Sequence, residues 1–343
     1  MTRLRYVDDS APGFMRRRSG KRFAYFDIDG KRITDKAEIE RIDKLAIPPA
    51  YERVWICPHP NGHLQATGRD ARGRKQYRYH ADWRRARDED KFERMVEFGR
   101  LLPRIRRRVA SDLRGAKGRP DADARRDSVL AALVRLLDST LVRIGNERYA
   151  EENHSFGLTT LRRRHAVVKG DRLQLHFKGK SGVPHEVDLT DPLVARVVRR
   201  CQALPGQQLF NYLDDDDGDL HPIESQDVNN YLQQISGAEI SAKDFRTWHG
   251  SVLALSLVLQ GEPPPTSTEV LREVAASLRN TVAVCRKSYV HPRILQACVD
   301  AKTLPPPTSG TQPRGLSAAE SGLLHFLLGA AAGATRGKNA AVA

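Results

Sequence analysis

Two hydrophobic periods take turns along this chain of 343 residues. In residues 21–34, Phe23, Tyr25 and Asp27 alternate with Ala24, Phe26 and Ile28, and Asp29-Gly30 supplies a two-residue turn, which predicts a β-hairpin. A short helical pattern follows over 35–45 and is closed by Pro48-Pro49. Residues 53–57 and 63–67 read as strands on either side of the Pro60-Asn61-Gly62 turn. From about Trp83 the period becomes helical. Phe92, Met95, Val96, Phe98 and Leu101 recur at three- and four-residue steps, as do Val129, Leu130, Leu133, Val134, Leu137, Leu141 and Val142, so these helices should share a core. Strands return at 166–168, 173–177 and 183–187, joined by glycine-bearing turns at 169–171 and 178–182. Residues 192–277 are helical again, broken by an acidic loop at 214–219 and by Gly261 to Pro265.

This succession predicts an α+β protein: a small β-rich domain over 21–85 and a larger, mostly helical domain over 86–303 with a β-hairpin insertion. A basic, only partly ordered start (1–20) precedes them. A Pro/Gly/Ala-rich tail follows (304–343), in which 316–328 is apolar enough to dock as a helix and 329–343 is expected to be disordered. Charge sharpens the picture. The net charge is +15, and residues 1–120 hold 31 Lys+Arg against 17 Asp+Glu while 121–343 hold 26 against 25. An excess confined to one end favours a polyanionic partner, nucleic acid before an anionic membrane. Arg104, Arg106, Arg107 and Arg108 read as the solvated face of a basic helix. Cys57, Cys201, Cys285 and Cys298 lie far apart, with no zinc or disulfide spacing. No signal-like or bilayer-spanning apolar run is present, so a soluble cytoplasmic protein is expected.

Two motifs mislead. Gly179-Lys180-Ser181 resembles the end of a phosphate loop, but Gln174 stands where that loop needs glycine, and the segment joins strand to strand. Asp215, Asp217, Gly218 and Glu224 match calcium-loop offsets, but Leu213 falls on the first ligand position. The first is set aside as a nucleotide site, and the second reads as an exposed acidic loop. The stretch ending in Tyr289 is more informative. A phenol of pKa about 10 becomes a useful nucleophile toward phosphate only where cations hold the phosphate and offset the developing charge. Arg143, Lys180 and Arg246 are candidate sources, with Asn280 as a further donor. Each taken singly has a plainer reading: a snorkelling or Glu147-paired arginine, a solvated turn lysine, an arginine paired with Asp244, and a cap or turn residue.

Their order and contexts resemble the type IB DNA topoisomerases, most closely the short poxvirus-like bacterial kind, over roughly residues 20–300. Arg143-Ile144-Gly145-Asn146 is similar to the segment with that family's first catalytic arginine, and Phe177 to Gly182 to its hairpin with the catalytic lysine at Lys180. Lys243-Asp244-Phe245-Arg246-Thr247 resembles the second-arginine motif, and Arg286 to Pro292 the tyrosine motif. One departure is Arg279-Asn280-Thr281 where Gly-His-Thr is typical; asparagine can donate a hydrogen bond but carries no charge. In the first domain, Ala66 to His80 resembles the family's DNA-contacting strand, which implies DNA contacts from Arg69, Arg74, Lys75, Gln76, Tyr77 and Tyr79. Alternation there suggests one face for bases and cations for phosphates. The charge asymmetry and the two-part pattern suggest two domains that close as a clamp on double-stranded DNA, with a linker near 81–92, and the resemblance favours a monomer. It also implies relaxation of supercoils through a 3′-phosphotyrosyl intermediate without ATP or metal. A tyrosine recombinase is the nearest alternative, opposed by Lys243 where recombinases carry histidine, and a catalytically decayed DNA-binding protein is the other.

Overall fold

The computed structural model describes residues 4–20, 22–71, 73, 75–115, 125–214, 218–300 and 313–340. It divides into two compact units, Met1–Glu93 and Arg94–Ala343. The mixed α+β class is as the pattern implied: an antiparallel sheet leads, and a helical region with small sheets follows.

In the first unit, β1 (Phe14–Ser19), β2 (Arg22–Phe26), α1 (Lys36–Lys44), β3 (Glu52–Ile56), β4 (Leu64–Arg69) and β5 (Lys75–Tyr79) build a five-stranded sheet of order β2-β1-β3-β4-β5. Its core is Ile42 of α1 against Val54, Ile56 and Ala66, with Phe14, Tyr25, Ile33 and Tyr51 around them. The Asp35 carboxylate starts α1 by accepting from Ala37 N at 3.0 Å. One expectation changes. Residues 14–19, read as part of a loosely ordered start, form the strand between β2 and β3. The hairpin expected about Asp29-Gly30 is present as a short return on the free edge of β2: Ile33 N donates to Tyr25 O and Asp27 N to Lys31 O, both at 2.9 Å, with a bridge between Phe26 and Arg32. The arginines of β1 conceal this role by looking solvated. Arg16 lies 4.2 Å over the Phe23 ring and donates to the carbonyls of Ile47, Pro48 and Tyr51 at 3.0, 2.9 and 2.7 Å.

Helix α2 (Ala81–Arg114) contains the division between the units. The second unit then runs α3 (Arg126–Thr140), α4 (Glu147–Asn153), β6 (Ala166–Lys169), β7 (Arg172–Lys178), β8 (Pro184–Thr190), α5 (Pro192–Ala203), β9 (Asn211–Leu213), β10 (Leu220–Pro222), α6 (Ser225–Ser236), α7 (Ala242–Gln260), α8 (Ser267–Ser277), α9 (Val282–Ser288), α10 (Pro292–Ala297) and α11 (Ala318–Ala340). Helix α3 is buried without interruption from Ser128 to Val134, the mark of a helix enclosed on all sides, and α5, α6 and α7 pack around it. β6, β7 and β8 form an antiparallel sheet with β7 in the middle.

The basic face expected of residues 104–108 is only partly solvated. Arg106 is held between Asp138 (Nε–Oδ2 2.7 Å) and Glu320 (Nη2–Oε1 2.7 Å). Glu320 also accepts from Trp248 Nε1 at 3.3 Å, and His249 meets Asp138 at 2.9 Å. These bonds seat α11, the helix suspected at 316–328, on α7. It continues to Ala340, past the point where disorder was expected, through alanine-rich sequence of high helix propensity.

Candidate active site

Arg143 follows α3 on a turn made by Leu141 in the left-handed region (φ 59°). Its peptide is pinned by Leu158 N, which donates to Arg143 O at 2.9 Å, and by Thr159 N, which donates to Ile144 O at 2.7 Å. Behind it Gly145 (φ +109°) lies against Gly157. A Cβ on Gly157 would sit 2.5 Å from Gly145 Cα and 2.7 Å from Arg143 O, so only glycine lets these two segments meet. Glu147, a possible partner for Arg143, is instead bound by Arg162 at 3.1 Å.

Arg246 lies inside α7, not in a polar segment ahead of it. Ser241 and Asp244 cap the helix there, with Asp244 Oδ2 accepting from Ser241 N at 2.8 Å, so Asp244 is spent on the cap. The Arg246 side chain is 3% exposed. Nη1 donates to Leu141 O and Nη2 to Leu278 O (2.8 Å), which ties the turn bearing Arg143 to the end of α8. Its Nε is buried with no hydrogen-bond partner among the described residues. Burial, and then the charge of Arg143, pull its pKa below the ordinary arginine value. Its guanidinium lies 5.1 Å over the ring of Tyr289.

Tyr289 ends α9 and is 8% exposed. Its backbone is docked on α7: Ser251 Oγ donates to Tyr289 O at 3.2 Å, His291 N donates to Ser251 Oγ at 3.0 Å, and a Cβ on Gly250 would come within 2.8 Å of Tyr289 O. The proline after it, Pro292, opens α10 and so ends α9 where the tyrosine stands. Arg286 and Lys287 are exposed and absent from the cavity described next, as ordinary surface charges would be.

Lys180 sits on the exposed turn between β7 and β8. Gly179 N donates to Val183 O (2.8 Å) and Gly182 N to Gly179 O (3.0 Å), with Ser181 at φ 65°. The base of this hairpin is held on one side by Phe156 N, which donates to Lys178 O at 2.7 Å. Under its tip the buried His185 stacks on Phe177 at 4.8 Å. Burial first, and then Arg279, Arg143 and Arg246, push the His185 imidazole down to about 4, so it is neutral at pH 7.

Arg143, Lys180, Arg246 and Tyr289 all line one cavity of about 370 Å³, together with Tyr149, Ser155 and Lys243. Lys243 lies three residues before Arg246 on one face of α7, a spacing readable in sequence, whereas Tyr149 and Ser155 carry no such signal. Asn280 is not in that lining. Its Oδ1 accepts from Thr281 N at 3.0 Å, and its Nδ2 is buried with no partner among the described residues. A cavity of about 540 Å³ elsewhere is lined by Asp112, Arg125, Arg126, Asp127 and Tyr212, and Arg126 there is paired with Asp227. Among the described residues no three His, Cys, Asp or Glu side chains are grouped to hold a metal ion, and no helix is long and apolar enough to cross a membrane.

The expected DNA-contact residues lie in the first unit, except that Arg74 is outside the described residues. On edge strand β5, Lys75, Tyr77 and Tyr79 share a face: the two rings stack at 6.1 Å, and Lys75 Nζ lies 5.4 Å from the Tyr77 centroid and pairs with Asp9. Gln76 points the other way and donates to Asp70 Oδ2 at 3.0 Å; Arg69 donates to Gly73 O at 2.6 Å. The expected division into a base-reading face and a cationic one is therefore not what the two-residue period of a strand produces here, since a lysine shares the tyrosines' face and the amide does not.

Residues 80–299 match the family model described as eukaryotic DNA topoisomerase I, catalytic core, and residues 22–70 the one described as bacterial DNA topoisomerase IB, N-terminal domain. DNA topoisomerase 1B of Acanthamoeba polyphaga mimivirus is 31% identical over 291 residues, 81% of this chain and 85% of that one. DNA topoisomerase I of Monkeypox virus is 24% identical over 311 residues, 82% and 91% of the two chains. DNA topoisomerase 1 of Mycosarcoma maydis is 28% identical over 192 residues, 51% of this chain and 18% of that protein. With a catalytic-core match over 80–299 and a mimiviral relative aligned over most of both lengths, this chain belongs to the type IB DNA topoisomerases.

Proposed function

We propose that the chain relaxes supercoiled duplex DNA by cutting one strand through Tyr289 and resealing it, with neither ATP nor metal taking part. The observation that carries this reading is the single cavity shared by Arg143, Lys180, Arg246 and Tyr289. The phenolic oxygen of Tyr289 attacks a backbone phosphorus. Its bond to phosphorus forms as the bond to the 5′ oxygen breaks, the phenolic proton leaves to solvent, and Lys180 gives its proton to the departing oxygen. A 3′-phosphotyrosyl end and a 5′-hydroxyl strand result. One phosphodiester has been exchanged for another, so the reverse attack reseals the strand without a nucleotide, and supercoils relax by strand rotation in the interval.

Arg143 and Arg246 hold the nonbridging oxygens and offset the charge of the pentacoordinate state, a task suited to planar donor forks. The buried, unpartnered Nε of Arg246 and Nδ2 of Asn280 support this assignment, since both are donors left over by the protein's own bonding. Asn280 adds a neutral donor. In the first domain (21–85), Lys75, Tyr77 and Tyr79 on one face of β5, with Arg69, Arg74 and Gln76, contact the duplex. That domain and the catalytic domain (86–303) close on DNA as a monomeric clamp at the nucleoid, a reading supported by the N-terminal charge excess. Full DNA affinity in residues 94–343 alone would overturn the clamp.

The test is relaxation of negatively supercoiled plasmid in EDTA without ATP, with Tyr289→Phe alongside. The native chain should relax the plasmid and the variant should not. Dependence on magnesium or ATP, or activity in the variant, would overturn the mechanism.

A further inference from the structure

The hairpin that carries Lys180 is fixed on one side by Phe156, and on the other by a residue that the mechanism leaves unused. Arg279 Nη1 donates to Pro184 O at 2.6 Å and Nη2 to Glu186 O at 3.0 Å. Strand β8 is an edge of its sheet, so carbonyls two residues apart on its outer side have no strand to bond, and one guanidinium fork takes both. Between these anchor points lies His185, which opposes Phe177 in the β7–β8 ladder and whose ring lies against Gly179, the residue before Lys180; a Cβ on Gly179 would come within 2.5 Å of that ring. A continuous set of contacts thus leads from Arg279 through β8 and His185 to the backbone that carries Lys180.

The backbone of Arg279 makes the arrangement more telling. Asn280 N donates to Ala275 O (2.9 Å) and Arg279 N to Ala276 O (3.1 Å), which is a Schellman ending of α8 with Arg279 at its left-handed position (φ +47°). Glycine fits that conformation without strain and a side chain does not. An arginine is therefore tolerated at the one place in this turn where glycine is cheapest, and its side chain is spent on the hairpin.

We propose that Arg279 is a positioning residue that locks the Lys180 hairpin to the turn bearing Asn280, so that the proton donor and the nucleophile's segment keep a fixed spacing. The proposal rests on the assignment of Lys180 as proton donor. Arg279→Gly suits the backbone, so the variant should fold at least as well as the native chain while losing the strap; Arg279→Lys keeps the charge but not the two-pronged bond.

The experiment measures single-turnover cleavage by the full chain of a duplex with an ordinary scissile phosphate, and of one whose scissile 5′ oxygen is sulfur. A thiol has a pKa of about 8.5, far below an alcohol's, so the thiolate departs without a proton donor. Arg279→Gly should slow the ordinary substrate by about 10- to 100-fold, cleave the sulfur substrate within about twofold of the native rate, and bind DNA as before. Arg279→Lys should recover only part of the loss. Native rates on both substrates, or equal slowing on both, would overturn the proposal, the second outcome placing Arg279 on the phosphate itself. Lys180→Ala and Tyr289→Phe run in parallel keep the two readings separate. If Lys180→Ala is not rescued by sulfur, or Tyr289→Phe still cleaves, it is the proposed mechanism that fails and not the strap alone.

Discussion

Arg246 and Lys180 line the same cavity yet are held in opposite ways. Arg246 is buried in the second turn of a 19-residue helix, with two of its donors fixed on the carbonyls of Leu141 and Leu278. Lys180 is exposed on a three-residue turn between two strands. The difference suits the tasks proposed for the two side chains. Charge developing on phosphate oxygens is best met by donors that need no reorganisation, which would suit an arginine built into the core. A proton donor has to reach the leaving oxygen and be recharged from water, which favours an exposed side chain whose position depends on the anchoring of its hairpin.

Three substitutions test this contrast. Arg246→Ala should have the largest effect. Single-turnover cleavage should fall about a thousandfold, and thermal or denaturant unfolding should show a loss of about 1–3 kcal/mol, because two carbonyls lose a buried donor. Lys180→Ala should slow cleavage about a hundredfold while unfolding stays within about 0.5 kcal/mol of the native chain, as expected at an exposed turn. If both variants lost stability equally, the contrast would be wrong. Asn280→Ala should come next, about tenfold in cleavage, the scale of one neutral donor.

The smallest effect is one of pH. His185 binds its proton less readily when folded, with a pKa near 4 against 6.5 for the free side chain, so between those values the unfolded chain takes up more protons than the folded one. Stability attributable to this group is complete above about 6.5 and is lost as pH falls toward 4. Unfolding followed across that window should show a shallower acid loss in His185→Phe than in the native chain.

The legibility of the molecule followed the range of its interactions. The strands of the hairpin sheet and the enclosed helix α3 show in the sequence because their burial repeats within a few residues. Arg106 and Glu320 stand 214 positions apart, and nothing local to either announces the pair, so the arginine looked like surface. The strand at 14–19 was obscured for a related reason: Arg16 is satisfied by carbonyls more than thirty positions away. Within the site, the four principal side chains were readable from motif order, while the Gly145–Gly157 contact and the Arg279 strap depend on three-dimensional closeness alone. Arg279 was visible in the sequence only as an oddity beside Asn280.

The central claim is that Tyr289 becomes covalently bonded to DNA. Its most direct measurement is to quench a cleavage reaction with detergent, digest the adduct and identify the modified peptide by mass spectrometry. The account predicts nucleotide phosphate on the peptide containing Tyr289 and no adduct from Tyr289→Phe. An adduct on any other residue, or one that persists in the phenylalanine variant, would contradict it.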